Sequence, residues 1–168
     1  MDSATPTIEV GAHGLGPGAV LAVARGDAPA TLTGEARAAM AVTAGVVARL
    51  VDADEPAYGV STGFGSLANV VIAPERREEL QRALVRSHAA GMGPPVEREV
   101  VRAMMVLRAR TLAMGYSGAR AVVAEQILAL LNAGITPVVP EHGSLGASGD
   151  LAPLAHCALA LLGEGEVV

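Results

Sequence analysis

Apolar residues recur at three- and four-residue intervals along most of this chain, a spacing that predicts helices. A short strand is expected over 7–10, followed by a turn into a short helix at 19–24. Thr33 is placed to cap a helix that reaches about Leu50, with Glu35 in its first turn. Residues 58–65 read as a strand running into a glycine loop, with Tyr58 as a half-buried strand residue. Pro74 opens a second long helix, to about Ala90, on which Leu80, Leu84 and Val85 share a face and His88 follows Leu84 by one turn. Gly91 to Pro95 breaks the chain before a helix over 96–114. There Val100, Val101, Met104, Met105, Leu107 and Leu112 form a wide apolar face, with Glu99, Arg102 and Arg110 opposite. Arg108 falls inside that face, where a guanidinium needs a carboxylate or carbonyl partner or must snorkel to water. Tyr116 is expected in the core, and Ser117 is expected to cap a helix over 118–133 that Asn132 and Gly134 end. Prolines hold 135–140 extended. A last helix starts near Pro153 and carries Leu154, Cys157, Leu161 and Leu162. The fold class is therefore mainly α with a few short strands, near the N-terminus and at the C-terminal end, where Gly-Glu-Gly-Glu-Val-Val opens another strand.

Two segments match the dinucleotide fingerprint G-x-G-x-x-A, at 14–19 and 63–68. The first lacks the second parallel strand that a βαβ unit needs after its helix, because Gly26-Asp27-Ala28-Pro29 leads to another helix. The second runs into Pro74 without an amphipathic helix. Both are read as turns.

Composition narrows the picture. The chain has 168 residues, the size of one domain, and is 51% hydrophobic but only 2% aromatic, so alanine, valine and leucine must fill closely packed helices. A net charge of −5 with scattered signs leaves no basic stripe for nucleic acid. The single cysteine, Cys157, excludes an internal disulfide framework and fits a reducing compartment. The first residues lack the pattern of a signal peptide, and the apolar runs are too short or too interrupted to span a bilayer. A cytoplasmic protein without nucleic-acid or membrane partners is expected. His13, His88, His142 and His156 are isolated from one another, and no metal-ligand spacing is present.

The stretch with the most distinctive chemistry is Gly143-Ser144-Leu145-Gly146-Ala147-Ser148-Gly149-Asp150-Leu151-Ala152-Pro153. Small residues there let backbone approach backbone. Asp150 and Pro153 suit a first helical turn, which puts Ala147-Ser148-Gly149 at a helix N-terminus. The Gly149 amide nitrogen, unhindered, can attack the Ala147 carbonyl, and Ser148 can then lose its hydroxyl. The product is an imidazolone ring with an exocyclic methylene, an electrophile that no ordinary side chain supplies. By itself the triplet is common and reads as a loop that caps a helix.

The surrounding residues, GSLGASGDLAPLAH, resemble the signature of the aromatic amino acid lyase family, its histidine ammonia-lyase branch in particular. The resemblance extends through YGVSTGFGSLANV (58–70), LQRALVRSHAAGMG (80–93) and GYSGAR (115–120), covering nearly all of 56–166. It implies that Ala147, Ser148 and Gly149 cyclise autocatalytically to a methylidene-imidazolone, with no external cofactor. It implies that Tyr58 is the loop tyrosine acting as catalytic base, which for a phenol requires nearby positive potential. Asp150 would assist cyclisation, although a role as a first-turn helix acid fits the sequence as well. Ser87 and His88 match the pair that faces the substrate side chain. A hydroxyl or imidazole there can hydrogen-bond a polar ring.

The implied reaction is loss of ammonia from L-histidine to give trans-urocanate, a step of histidine catabolism. Addition to the electrophile through the amine or through the ring is consistent with these residues. The implied fold is the N-terminal part of a longer helical protein, with the downstream bundle beyond Val168. The implied assembly is a homotetramer whose subunits share active sites, so the 168 residues alone are expected to be inactive. Two alternatives stand beside this. The chain is a non-catalytic folding or assembly fragment with an uncyclised triplet, or it belongs to a lyase or aminomutase acting on tyrosine or phenylalanine.

Overall fold

A computed structural model describes residues 6–53, 55–146 and 149–168. The chain is mainly α with a few short strands. Its elements in order are β1 (Ile8–Val10), α1 (Pro17–Ala24), β2 (Ala30–Leu32), α2 (Gly34–Val51), α3 (Arg77–His88), β3 (Met92–Pro95), α4 (Arg98–Ala113), α5 (Ala121–Asn132), β4 (Pro140–His142) and α6 (Leu151–Leu161).

The core is built around α4. Its buried residues Val101, Met105, Val106, Ala109 and Leu112 meet Val23 of α1, Met40 of α2 and Leu128 and Leu131 of α5. Alanines at Ala109, Ala113 and Ala124, all fully buried, let the helices approach closely without aromatic filling. Helices α3 and α6 pack on each other as a separate pair. Thr33 caps α2 as expected, its Oγ1 accepting from Ala36 N at 3.1 Å. The C-terminal residues do form a strand-like pairing: Thr136 and Val168 exchange backbone hydrogen bonds, and Pro137 bridges Val167.

Several expectations are corrected. A second parallel strand does follow α1, since β2 pairs with β1 in the register Ile8↔Ala30, Glu9↔Thr31, Val10↔Leu32. Its three residues are too few to show as a hydrophobic pattern. Asn132 secures it from outside the sheet, its side chain accepting from Ala30 N and donating to Ala30 O at 2.9 Å each. Residues 58–61 form a turn, not a strand. Val60 N and Ser61 N both donate to Ala57 O, and the hydroxyls of Ser61 and Thr62 take the amides of Ala57 and Gly59. Such local side-chain bonds compete with a ladder. One isolated bridge, Thr62 with Val71, crosses to the next segment among the described residues, through Gly63 N to Val70 O and Ile72 N to Ser61 O. Conversely, the break at 91–95 contains β3, antiparallel to β4.

Helix α5 begins at Ala121 rather than 118, and Ser117 does not cap it. Gly118 has φ +69°, outside helical geometry, and a Cβ there would lie 2.3 Å from Val47. This corner presses its glycines onto α2 and turns Tyr116 outward, 83% exposed, instead of into the core. On α4 the two arginines exchange roles: Arg102 is fully buried and Arg108 is exposed. Arg102 sits where the C-terminal ends of α1 and α5 converge. It donates to Val23 O and Leu131 O at 3.0–3.3 Å and pairs with Asp27 at 2.8 Å. Helix C-termini carry partial negative charge and unpaired carbonyls, which a guanidinium fork satisfies.

Candidate functional site

Between the α3–α6 pair and the α4–α5 pair lies a cavity of about 820 Å³, within the range of small-molecule sites. Its walls are mostly aliphatic, with Leu84, Met105, Ile127, Leu154 and Leu161 contributing from four helices. Tyr58, His88, Arg108 and Gly149 bring polar groups to it.

Tyr58 reaches the cavity from the turn closed by Ala57. Its ring stands edge-on to Phe64 with centroids 5.9 Å apart, and its hydroxyl accepts from Gly65 N at 3.3 Å. The loop glycine that sequence spacing marked as a dinucleotide decoy thus holds the phenol oxygen. Tyr58 remains 65% exposed.

His88 is the last residue of α3 and half-buried. Its Nδ1 lies 2.9 Å from Leu84 O, which can only accept, so Nδ1 carries the ring proton. The neutral ring then offers Nε2 as an acceptor. Ser87 is exposed and does not line the cavity. Its hydroxyl donates to Leu84 O at 2.9 Å and lies 3.1 Å from His88 Nδ1, so it bears on the site through the His88 ring.

Ala147 and Ser148 lie outside the described residues. Gly149, the third member of the triplet, lines the cavity two residues before α6 begins. It has φ +90°, a backbone conformation that suits glycine, and among the described residues beyond its neighbours no atom lies within 4 Å of the position a Cβ would take. Asp150 precedes α6 rather than lying in its first turn. It occupies the N-cap position at φ +40° without capping the helix, and its carboxylate accepts from Ser144 Oγ. That contact joins two residues that flank the triplet.

Arg108 lines the cavity as well. Of the two expectations for it, an ion pair or a side chain that snorkels to water, the exposed position matches the second, and it makes no ion pair among the described residues. The signal was its position on the same face as Met105 and Leu112, which is the face lining the cavity. Cys157 also contributes to the wall, and burial pushes its thiol up to about 11. The described residues hold no cluster of three metal-ligating side chains.

The sequence profile of the aromatic amino acid lyases matches residues 15–168. This chain belongs to that family. Over 160 residues it is 59% identical to histidine ammonia-lyase of Streptomyces avermitilis, a match covering 95% of this chain and 31% of the relative. In structure it is similar to tyrosine aminomutase of Streptomyces globisporus, with a TM-score of 0.90, 37% identity, and coverage of 97% of this chain and 30% of the other. It is likewise similar to histidine ammonia-lyase of Trypanosoma cruzi, with a TM-score of 0.87, 34% identity, and coverage of 97% and 31%. The chain therefore spans about a third of the length of these family members.

Proposed function

We propose that this chain forms the electrophile-bearing part of an ammonia-lyase that converts L-histidine to trans-urocanate. The observation that carries the proposal is the convergence of Tyr58, His88 and Gly149 on one apolar cavity, from a loop, the end of α3 and the start of α6. A methylidene-imidazolone made from Ala147, Ser148 and Gly149 would supply the electrophile for the reaction. The chain's own residues do the rest. Tyr58, held by the Gly65 amide, is placed to take the weakly acidic proton from the substrate β-carbon. His88, with its proton fixed on Nδ1 by Leu84 O, offers Nε2 to an N–H of the substrate imidazole. The aliphatic walls lower the local polarity around the His88 ring. Asp150 is proposed to assist cyclisation, held by Ser144.

We further propose that the whole protein is a cytoplasmic homo-oligomer, a tetramer by family analogy. The outer face of α2 supports association, since it leaves Val42 71% exposed with Val46, Leu50 and Val51 beside it. No described helix is long and apolar enough to cross a membrane.

Intact mass tests the first part. A mass lower by two waters, localised to 147–149, is expected of the full-length protein, together with release of urocanate from L-histidine. The unprocessed mass would favour the assembly-fragment alternative. The similarity to a tyrosine aminomutase keeps a phenolic substrate as the second reading, and turnover of L-tyrosine in preference to L-histidine would establish it.

A further inference from the structure

Most of the inward face of α6 belongs to the cavity wall, but His156 does not line it. Its imidazole leaves the helix toward the antiparallel pair β3–β4, where the Gly91 amide donates to Nε2 at 3.1 Å. A Cβ on Gly91 would stand 3.1 Å from both His156 Nε2 and Pro140 Cβ, so the contact is as close as backbone permits. Gly143 completes it: a Cβ there would lie 3.4 Å from Gly91 Cα and 3.1 Å from Ala152 Cβ. Three segments therefore meet at this point, namely the residues after α3, those leading into the reactive loop, and the first turns of α6.

Gly91 lies three residues beyond His88, and the chain between them has little slack. Ala89 N donates to Val85 O at 3.1 Å, and Ala90 N donates to His88 O at 2.8 Å. A displacement of Gly91 is therefore passed to His88. A second tie joins α3 to the residues after α6, with Arg86 gripping both oxygens of Glu164 at 2.6 and 2.8 Å. That pair is solvent-exposed, where ion pairs constrain weakly. The His156 contact is half-buried, and burial lowers the imidazole pKa, which keeps the ring neutral and able to accept.

The structure assigns His156 as a positioning residue. By accepting the Gly91 amide it sets the separation between α6, which follows the reactive triplet, and the end of α3, which carries His88. The assignment rests on the proposed lyase function, because only then do these two helix ends share one substrate. His156 acts through His88 and is not itself catalytic.

The test uses the full-length protein. His156→Leu is expected to raise KM for L-histidine about tenfold while kcat changes less than about threefold. His156→Gln, whose amide oxygen can accept the same N–H, is expected to bring KM back to within about threefold of the parent. The intact mass should remain lower by two waters in both. An unchanged KM in His156→Leu, or a KM that His156→Gln does not restore, overturns the assignment. Amide exchange at Gly91 needs no turnover: the parent and His156→Gln should protect that proton, and His156→Leu should expose it. If the parent fails to act on L-histidine, the lyase proposal falls, and exchange alone decides whether His156 holds the two segments together. Should His156→Leu not fold, His156→Asn, whose shorter side chain falls short of Gly91, takes its place.

Discussion

Arg102 and Asp27 meet at 2.8 Å with unequal exposure: the arginine side chain is fully buried and the aspartate is 53% exposed. The ion pair therefore reaches from the core to the surface. Arg98 binds the same carboxylate at 2.9 Å, and that bond first, with the charge of Arg102 adding, holds Asp27 below the usual carboxylate range. Replacing Arg102 with methionine would strand the Val23 carbonyl in the core, while Leu131 O keeps the Gly134 amide as a partner. The expected loss is about 1–3 kcal/mol, read as a lower urea midpoint. Asp27→Asn, which tolerates the positive φ there, should cost much less, because Arg102 keeps its two carbonyls.

Tyr58→Phe keeps the edge-on contact with Phe64 and removes the hydroxyl held by Gly65. In the full-length protein kcat for L-histidine is expected to fall by about 10²–10⁴ with the mass deficit at 147–149 retained. Steady-state release of urocanate measures the first, intact mass the second. A Tyr58→Phe variant that turns over normally would remove Tyr58 as the base.

Replacing His88 with leucine deletes the ring acceptor while leaving the backbone of α3 intact, since its Nδ1 contact with Leu84 is local. A polar substrate ring facing an apolar side chain loses its partner. We expect kcat/KM for L-histidine to fall about 10–100-fold, with a relative gain for L-phenylalanine in competition assays. Ser87→Ala should have a smaller effect, because the hydroxyl reaches the cavity only through His88.

Burial lowers the His156 pKa below its ordinary value of 6.5. The unfolded chain then binds a proton more readily than the folded one, so stability rises with pH. The contribution is complete above about pH 6.5 and is lost as pH falls through the depressed folded value. Urea midpoints measured between about pH 7.5 and 5 should decline more steeply for the parent than for His156→Gln, which has no proton to take up.

With its thiol pushed up to about 11, Cys157 should resist disulfide-exchange reagents near neutral pH in the folded protein. Labelling should become fast only in denaturant. Rapid labelling of the native chain would mean that the cavity wall at α6 opens.

Much of this protein was legible from local sequence because the forces involved act locally. Thr33 caps α2 through a bond to Ala36, three residues away, and the six helices follow from apolar spacing and proline or glycine punctuation. The small residues around Gly149 marked the reactive stretch because few side chains permit backbone attack on backbone. Tyr58, His88 and Gly149 stand out in the sequence through the family their neighbours resemble. Their meeting was not visible, since a loop, a helix end and a helix start converge on the cavity only after α3 and α6 pack.

Tertiary structure alone decided the rest. Arg102 and Arg108 carry the same charge on the same helix. Which one is buried depends on carbonyls 79 and 29 residues away in sequence, at helix ends that face Arg102 only in the folded chain. Tyr116 is exposed because flanking glycines press against α2, and β2 exists because β1 and Asn132 supply its hydrogen bonds. His156 gave no local sign of its contact with Gly91, 65 residues earlier. Sequence determines what each segment can form and what chemistry its side chains hold. Packing determines which of those groups lose water and which partners they find, because burial and long-range hydrogen bonds belong to the assembled chain.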